Sequence, residues 1–402
     1  MPSLSSFLLI FTVLAGFLSG VLLIVDCTLR AILLGLRLIS KKAVAAGKIV
    51  PVNGAIILIA ARDEAGVIGQ TVEALVPQLR EWNDARLWIV ADNCTDGTAA
   101  EALREGVNVA VRSGGKSGKG AVLDWWLTTH KSDWKSGEII IVLDADSRIQ
   151  NGTLLALKNA FETGADAAQA FVKPLATTQS GRLAGWSEVL MQLIDDTVRT
   201  RYGWQIPLRG TGMAIKADLL AELAPGLHTL AEDLELDVLL AKKKSNVKFV
   251  SEAVIFDPKP QKERGVANQR ARWFRGQFQV LKSYWHEIFF ALRNSGASAW
   301  FLLPLLFLRP KILLMGSRAT VLITTLTLLF TSITNQLFVV ILLSFSLLGL
   351  CFDAIYYLTA AQLISNRKEY LRDLLAAPRY VLIWILGFSL MLVKRGWLRA
   401  GR

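Results

Sequence analysis

Glu138-Ile139-Ile140-Ile141-Val142-Leu143-Asp144-Ala145-Asp146 is the stretch on which the fold turns. An apolar run this short and this rich in β-branched residues reads as a strand buried on both faces. It ends in two aspartates separated by one residue, and with a side-chain period of two both carboxylates can face the same way. Three similar runs precede it: Ala55-Ile56-Ile57-Leu58-Ile59-Ala60, Leu87-Trp88-Ile89-Val90, and Val107 to Val111. Between them, Gly66 to Arg80, Gly97 to Glu105 and Gly118 to His130 read as helices. Repeated β-α-β units build an α/β domain with a doubly wound, mostly parallel sheet, here spanning residues 51–262. Ligands of such sheets sit beyond the carboxyl ends of the strands. Arg62-Asp63-Glu64, Asp92-Asn93 and Asp144-Ala145-Asp146 all fall there.

Each cluster has a chemical and a plain reading. Paired oxygens at Asp144 and Asp146 suit Mg²⁺ or Mn²⁺ bridging a diphosphate. A strand that merely ends in two loop aspartates is a common turn, but this is the third strand end in a row to carry acids. Asp63, Glu64 and Asp92 can accept hydrogen bonds from a nucleoside; they can equally cap the loop from Asp92 to Gly97. Gly114-Gly115-Lys116-Ser117-Gly118-Lys119-Gly120 is a cationic glycine loop opening a helix, suited to phosphate oxygens. It is not a P-loop, because Ala110 stands where Gly must precede Gly115-Lys116-Ser117, and Gly118-Lys119 is followed by Gly120. An ATPase reading therefore rests on three residues alone.

Glu232-Asp233 precedes an amphipathic helix carrying Leu236, Leu239 and Leu240. Acids there are either dipole partners or a general base for a hydroxyl proton. Gly210-Thr211-Gly212 is a turn that lets backbone approach a substrate closely. Gln269, Arg272 and Trp273 stand at i, i+3 and i+4 on one helical face, with Phe274, Phe278, Leu281 and Trp285 largely opposite. Arginine beside an indole fits a phosphate clamp and a sugar platform. A basic interfacial helix explains Arg270, Arg272, Arg275 and the aromatics equally well, yet says nothing of Gln269.

The chain of 402 residues carries 45 Lys and Arg against 33 Asp and Glu, and is 52% hydrophobic, which excludes disorder. Cys27, Cys94 and Cys351 lie too far apart for a disulfide framework or metal knuckle, so a catalytic domain fits a reducing cytosol. Residues 4–25 carry no charge and are long enough to cross a bilayer; Met1-Pro2-Ser3-Leu4 lacks the basic leader of a cleaved signal. Arg30, Arg37, Lys41, Lys42 and Lys48 then place the chain from residue 50 onward in the cytoplasm. Ala319 to Phe352 is also uncharged, and Thr334-Asn335-Gln336 divides it into spans at 312–333 and 337–359, with Arg318 snorkelling at an inner end. Runs at 300–308 and 380–393 are short and edged by cations, as interfacial helices are, with a fourth span at 380–393 as the alternative. The expected order is an N-terminal transmembrane helix (1–30), a cytoplasmic linker (31–50), the α/β domain, interfacial helices (263–310), two transmembrane helices (311–363), and a C-terminal interfacial helix with a basic tail (364–402). Most cations thus edge a membrane, which favours anionic lipid over nucleic acid as partner.

The ordered set Asp63-Glu64, Asp92, Lys119, Asp144-Ala-Asp146, Gly210-Thr-Gly212, Glu232-Asp233 and Gln269-Arg-Ala-Arg-Trp273 resembles the membrane-embedded family 2 glycosyltransferases with a GT-A fold. That group includes cellulose, chitin and hyaluronan synthases and bacterial exopolysaccharide transferases. The resemblance covers about residues 50 to 290 by motif and the flanking helices by arrangement only. It implies inverting transfer of a sugar from a nucleotide diphosphate donor, usually UDP-linked, with Mn²⁺ or Mg²⁺ as cofactor. Asp63, Glu64 and Asp92 would hold the nucleoside, Lys116 and Lys119 the donor phosphates, and Asp144 with Asp146 the nucleotide and the metal. Asp233, with Glu232, would activate the acceptor hydroxyl; Gln269, Arg270 and Arg272 would hold the diphosphate; Gly210, Thr211, Gly212 and Trp273 would meet the acceptor. Trp397-Leu-Arg399-Ala-Gly-Arg402 looks like a Trp-x-Arg-Thr-x-Arg ending with Ala400 in place of Thr. Asp63 replaces a common Asn, and Ala231 a common Thr. The resemblance places the enzyme in a bacterial inner membrane. Three spans are few for a polymer channel, so the expected acceptor is a lipid-linked or membrane-surface glycan. The alternatives are a processive synthase that secretes its polymer, and an inactive scaffold or nucleotide sensor.

Overall fold

The structure is a computed structural model; it describes residues 25–37, 50–306 except Glu105 and Ser117, seven residues within 318–326, and 336–393 except Ser365. Strand β1 (Ala55–Ala61), β2 (Ala85–Asp92), β3 (Val107–Arg112), β4 (Ile139–Asp144), β5 (Arg148–Ile149), β6 (Ala167–Leu175), β7 (Met213–Lys216) and β8 (Val247–Pro258) form one sheet. Its order is β3-β2-β1-β4-β7-β6-β8-β5. The first four apolar runs are parallel neighbours, as their pattern predicts. β7 runs antiparallel to both β4 and β6, so the sheet is mixed. Its reversal comes after the turn at Gly210 and Gly212, with φ 75 and 67, values that side chains disfavour.

The helices, in chain order, are α1 (residues 25–37), α2 (Ile68–Leu79), α3 (Thr98–Ala102), α4 (Lys119–Thr129), α5 (Thr153–Glu162), α6 (Gln179–Met191), α7 (Thr197–Arg201), α8 (Ala217–Leu223), α9 (Glu232–Lys242), α10 (Glu263–Ser283), α11 (Trp285–Asn294), α12 (Leu302–Leu306), α13 (Gln336–Ala361), α14 (Arg367–Leu374) and α15 (Ala377–Val393). Alternate residues of β1 serve two cores. Ile57 and Ile59 pack with Val72 and Leu75 of α2, and Ile56 and Leu58 with Val122 and Trp126 of α4. Burial on both faces is why β1 carries no polar alternation.

The chain divides into two compact units, one of residues 41–302 with 387–402, the other of residues 1–40 with 303–386. In the second, Val339–Thr359 is 21 residues of mean hydropathy 2.2, long and apolar enough to cross a membrane, and it coincides with the expected span at 337–359. Most of the expected spans at 4–25 and 312–333, most of the linker, and the Trp397 tail lie outside the described residues. Arg318 does not snorkel: it is buried, and pairs with Asp353 and, at 3.2 Å, with Asp26. Arg30 is likewise buried rather than a free flanking cation, 2.7 Å from Asp353. Trp285 does not continue the face of Phe274 and Phe278, because α10 stops at Ser283 and Trp285 begins α11.

Candidate active site

Asp144 is the last residue of β4, so its side chain leaves the sheet where strand pairing ends. Its amide donates to Thr211 Oγ1 at 3.1 Å, and Ser147 Oγ lies 2.8 Å from the same hydroxyl. A turn closed by Ser147 N–H on Asp144 O, 3.1 Å, holds Asp144 and Asp146 half-buried at the strand end. Lys119 opens α4 behind Gly118, whose φ is 125. Its ammonium pairs with Asp144, donates to Gly210 O at 3.0 Å and stands 3.7 Å from Glu232 Oε1. A Cβ on Gly210 would lie 3.6 Å from Asp233 Oδ2 and 3.7 Å from Glu232 Oε1. The β4 end, the α4 start, the Gly210 turn and the α9 start therefore meet at one place.

Burial without enough countercharge sets the protonation there. Burial drives Glu232 up to about 7, against the attraction of Lys119 and with the help of Asp233. Asp233 is also raised, by burial above all, although Leu234 N–H donates to its Oδ1 at 2.9 Å and opposes the shift. Burial depresses Lys119, but the Asp144 and Glu232 carboxylates outweigh it and hold the ammonium charged. Burial also lowers Arg272, whose guanidinium is attracted by Asp144 and Glu232. So three acids share two cations at the start of α9 and the end of β4.

The other predicted residues divide. Asp92 is 4% exposed, 2.5 Å from Arg112 Nη1, with Asn93 Nδ2 donating to it at 2.8 Å. The carboxylate expected on the nucleoside is thus turned to an internal cation. Asp63, at φ 52, accepts from Thr95 N–H at 2.7 Å and from the Thr95 hydroxyl at 3.1 Å, which is loop capping. Glu64 N–H donates to Thr98 Oγ1 at 2.8 Å. Asp63, Cys94 and Asp96 lie close enough to suggest a cation site. Asp96, however, already accepts from Thr98 N–H at 3.0 Å and Ala65 N–H at 3.2 Å, so this is scaffolding. Lys116 is exposed, and its carbonyl accepts from Arg112 Nη2 at 2.8 Å. Lys119 reaches carboxylates, where a phosphate was expected. Thr211 is buried under Asp144, and Gly212 packs on Ile255, where a Cβ would come within 2.7 Å, so of the turn only Gly210 faces the acids.

On α10, Arg272 is half-buried and Trp273 is 40% exposed. Arg270 is 1% exposed, with its guanidinium carbon 4.0 Å from the Trp273 ring centroid. It braces the indole from below, a cation on a π face, and does not reach out as a diphosphate ligand. Gln269 Oε1 is buried without a hydrogen-bond partner among the described residues. Sequence reasoning missed Arg112, although it ends β3 directly opposite Asp92 in register. It also missed Gln169, which grips the glycine turn through Nε2 on Thr211 O at 2.9 Å and accepts from Arg209 N–H at 2.9 Å.

The mixed eight-stranded sheet, with helices on both faces, has a fold of GT-A type. The chain belongs to glycosyl transferase family 2: the profile described as "Glycosyl transferase family group 2" matches residues 139–392, and "Glycosyl transferase family 2" matches residues 56–214. It is 28% identical over 253 residues to the beta-monoglucosyldiacylglycerol synthase of Nostoc sp., covering 58% of this chain and 50% of that protein. It is 28% identical over 255 residues to the enzyme of the same name from Synechocystis sp., covering 60% and 51%. The chain thus spans about half the length of these curated relatives. Among solved structures, the mannosyltransferase of Pyrobaculum calidifontis, in complex with GDP-Man and Mn²⁺, shares the fold at a TM-score of 0.54 and 16% identity, covering 93% of this chain and 100% of that one.

Proposed function

We propose that this enzyme transfers a sugar, with inversion, from a nucleotide diphosphate donor, preferably UDP-linked, to a lipid-linked or membrane-surface glycan at the cytoplasmic face of a bacterial inner membrane. The observation that carries this reading is the meeting of Asp144, Glu232, Asp233 and Lys119 around Gly210. In the proposed reaction an acceptor oxygen bonds to the sugar's anomeric carbon as the bond from that carbon to the diphosphate breaks, and Asp233 takes the hydroxyl proton. A carboxylate raised by burial is the stronger base for that purpose. Arg272, drawn toward the same carboxylates, meets the charge that grows on the departing diphosphate. Lys119 keeps Asp144 and Glu232 together without leaving the pocket strongly anionic.

Asp144 and Asp146 offer hard oxygen donors from one strand end, the donor set that Mg²⁺ and Mn²⁺ take, and they would hold such an ion. When bound, it supplies further neutralisation of the diphosphate. A membrane acceptor is supported by the relatives, which are named for a glycolipid, and by Val339–Thr359. It is supported also by α11, which buries Ile288 and Ala291 while exposing Trp285, Phe289 and Phe290. The test is a panel of nucleotide sugars offered to purified protein in detergent, with free nucleotide as readout, with and without membrane lipid extract. Nucleotide release from one donor, stimulated by lipid and by Mn²⁺ or Mg²⁺, is the expected outcome. Release from none would refute the proposal.

A further inference from the structure

The segment just before Glu232 has no helix or strand of its own, yet its backbone donors are all accounted for. His228 N–H and Thr229 N–H donate to the carboxylate of Glu235, the first to both oxygens at 3.1 Å and the second to Oε1 at 3.0 Å. Glu235 is fully buried, one turn into α9. Ala231 N–H donates to Thr229 Oγ1 at 3.2 Å. Leu230 N–H takes its acceptor from another helix: Gln279 Oε1 of α10, at 3.0 Å. Tyr284, just past the end of α10, donates its hydroxyl to Gly226 O at 2.6 Å. Beyond the Gln279 tie, one turn earlier on α10, Gly276 brings the helix against the strap so closely that a Cβ there would lie 2.6 Å from Ala231 Cβ.

The same helix presents Arg272 and Trp273 two turns earlier. The strap from Gly226 to Ala231 therefore joins the helix that carries the arginine to the first residues of the helix that carries the acids. A hydrogen bond to Leu230 fixes backbone only three residues from Asp233, and fixes it relative to α10. We infer that Gln279 is a positioning residue: through the Leu230 amide it sets where Glu232 and Asp233 stand relative to Arg272. A small displacement of a base costs rate far more than it costs donor binding. Glu235 holds the strap from within α9 and sets its shape; Gln279 sets its place. This inference rests on the transfer reading for its kinetic consequence, and on geometry alone for its structural one.

The test uses the full chain in detergent with Gln279→Leu, which removes the acceptor, Gln279→Glu, which keeps one, and Gly276→Ala, which displaces the strap by contact. Hydrogen exchange is measured at the amides of residues 230–233, and steady-state transfer with the donor identified by the nucleotide-sugar panel. In Gln279→Leu and Gly276→Ala, exchange at these amides is expected to speed up while β1 and β4 stay protected. kcat is expected to fall about 10- to 100-fold with donor KM within about threefold of wild type, and Gln279→Glu to recover most of the rate. Wild-type exchange in Gln279→Leu overturns the inference, as does a parallel loss of kcat and donor affinity, or a Gln279→Glu variant as slow as Gln279→Leu. Should wild-type protein transfer from no donor, the transfer reading falls alone, and the exchange measurement still decides whether Gln279 places the strap.

Discussion

Asp233 and Glu232 are neighbours in sequence but are asked to do different things, and substitution separates them. Asp233→Asn keeps the volume and the hydrogen bond from Leu234 N–H while removing the proposed base. Transfer is expected to fall by about 10²–10⁴-fold with nucleotide affinity nearly unchanged; calorimetric binding beside turnover checks it, and a rate near wild type would assign the base elsewhere. Glu232 has a stability signature instead. Its pKa is raised from 4.5 to about 7, so the folded chain keeps a proton that the unfolded chain has lost within that window. The stabilising contribution is complete below pH 4.5 and lost as pH rises through 7. Glu232→Gln should therefore melt close to wild type at pH 5 and higher at pH 8, by up to about 3 kcal/mol. Thermal melts in detergent at both pH values decide; equal differences at the two would remove the buried charge from the account.

Among the elements, the ends of β2 and β3 show where reading the sequence succeeds and where it stops. Four apolar runs located β1 to β4 to within two residues, because β1, β2 and β4 are mostly buried and so read as short, β-branched apolar runs, while the edge strand β3 still alternates. β5 to β8 stayed hidden: Arg148–Ile149 and Met213–Lys216 are only two and four residues, and Ala167–Leu175 and Val247–Pro258 break their apolar runs with polar residues. At the site, acids were legible as strand-end residues, but their partners were not. Arg112 is an ordinary strand residue in one dimension, and only the register that sets it against Asp92 makes it the cation of a buried pair. Lys119 was legible as a cation at a helix start, yet its partners, Asp144 and Glu232, lie 25 and 113 residues away. Arg112→Met should cost about 3–5 kcal/mol by stranding the Asp92 carboxylate. It should also loosen the glycine loop through the lost bond to Lys116 O, and so weaken nucleotide binding. Pairing it with Asp92→Leu should restore much of the melting temperature but not the affinity. Recovery of both would make the pair purely structural, and recovery of neither would show that the two side chains do not form a closed unit.

At the scale of the whole molecule, one unit gathers buried acids around Lys119 with their charges unevenly matched, while the other buries charge in a balanced set. In the unit of residues 1–40 and 303–386, Asp26 and Asp353 alternate with Arg30 and Arg318 in a closed ring of ion pairs, every member 3% exposed or less. Arg30 also lies 4.8 Å from the ring centroid of Tyr356. Asp353 belongs to Val339–Thr359, so this carboxylate sits inside the segment apolar enough to enter a membrane. A charge in that setting is tolerated when paired, and breaking such a pair costs far more than replacing it whole. Composition could not show this, since Asp26 and Arg30 are far in sequence from Arg318 and Asp353, and the two arginines read as cations edging spans. Asp353→Leu leaves two arginines with one acid and should lower detergent-solubilised stability by about 3–5 kcal/mol. Adding Arg318→Met returns the count to one acid and one cation, Asp26 with Arg30, and should recover most of the loss. Thermal unfolding with size-exclusion chromatography as readout distinguishes the cases: a single variant as stable as wild type would mean that the ring does not hold these helices, and a double variant worse than the single would mean that each pair is needed in its own right.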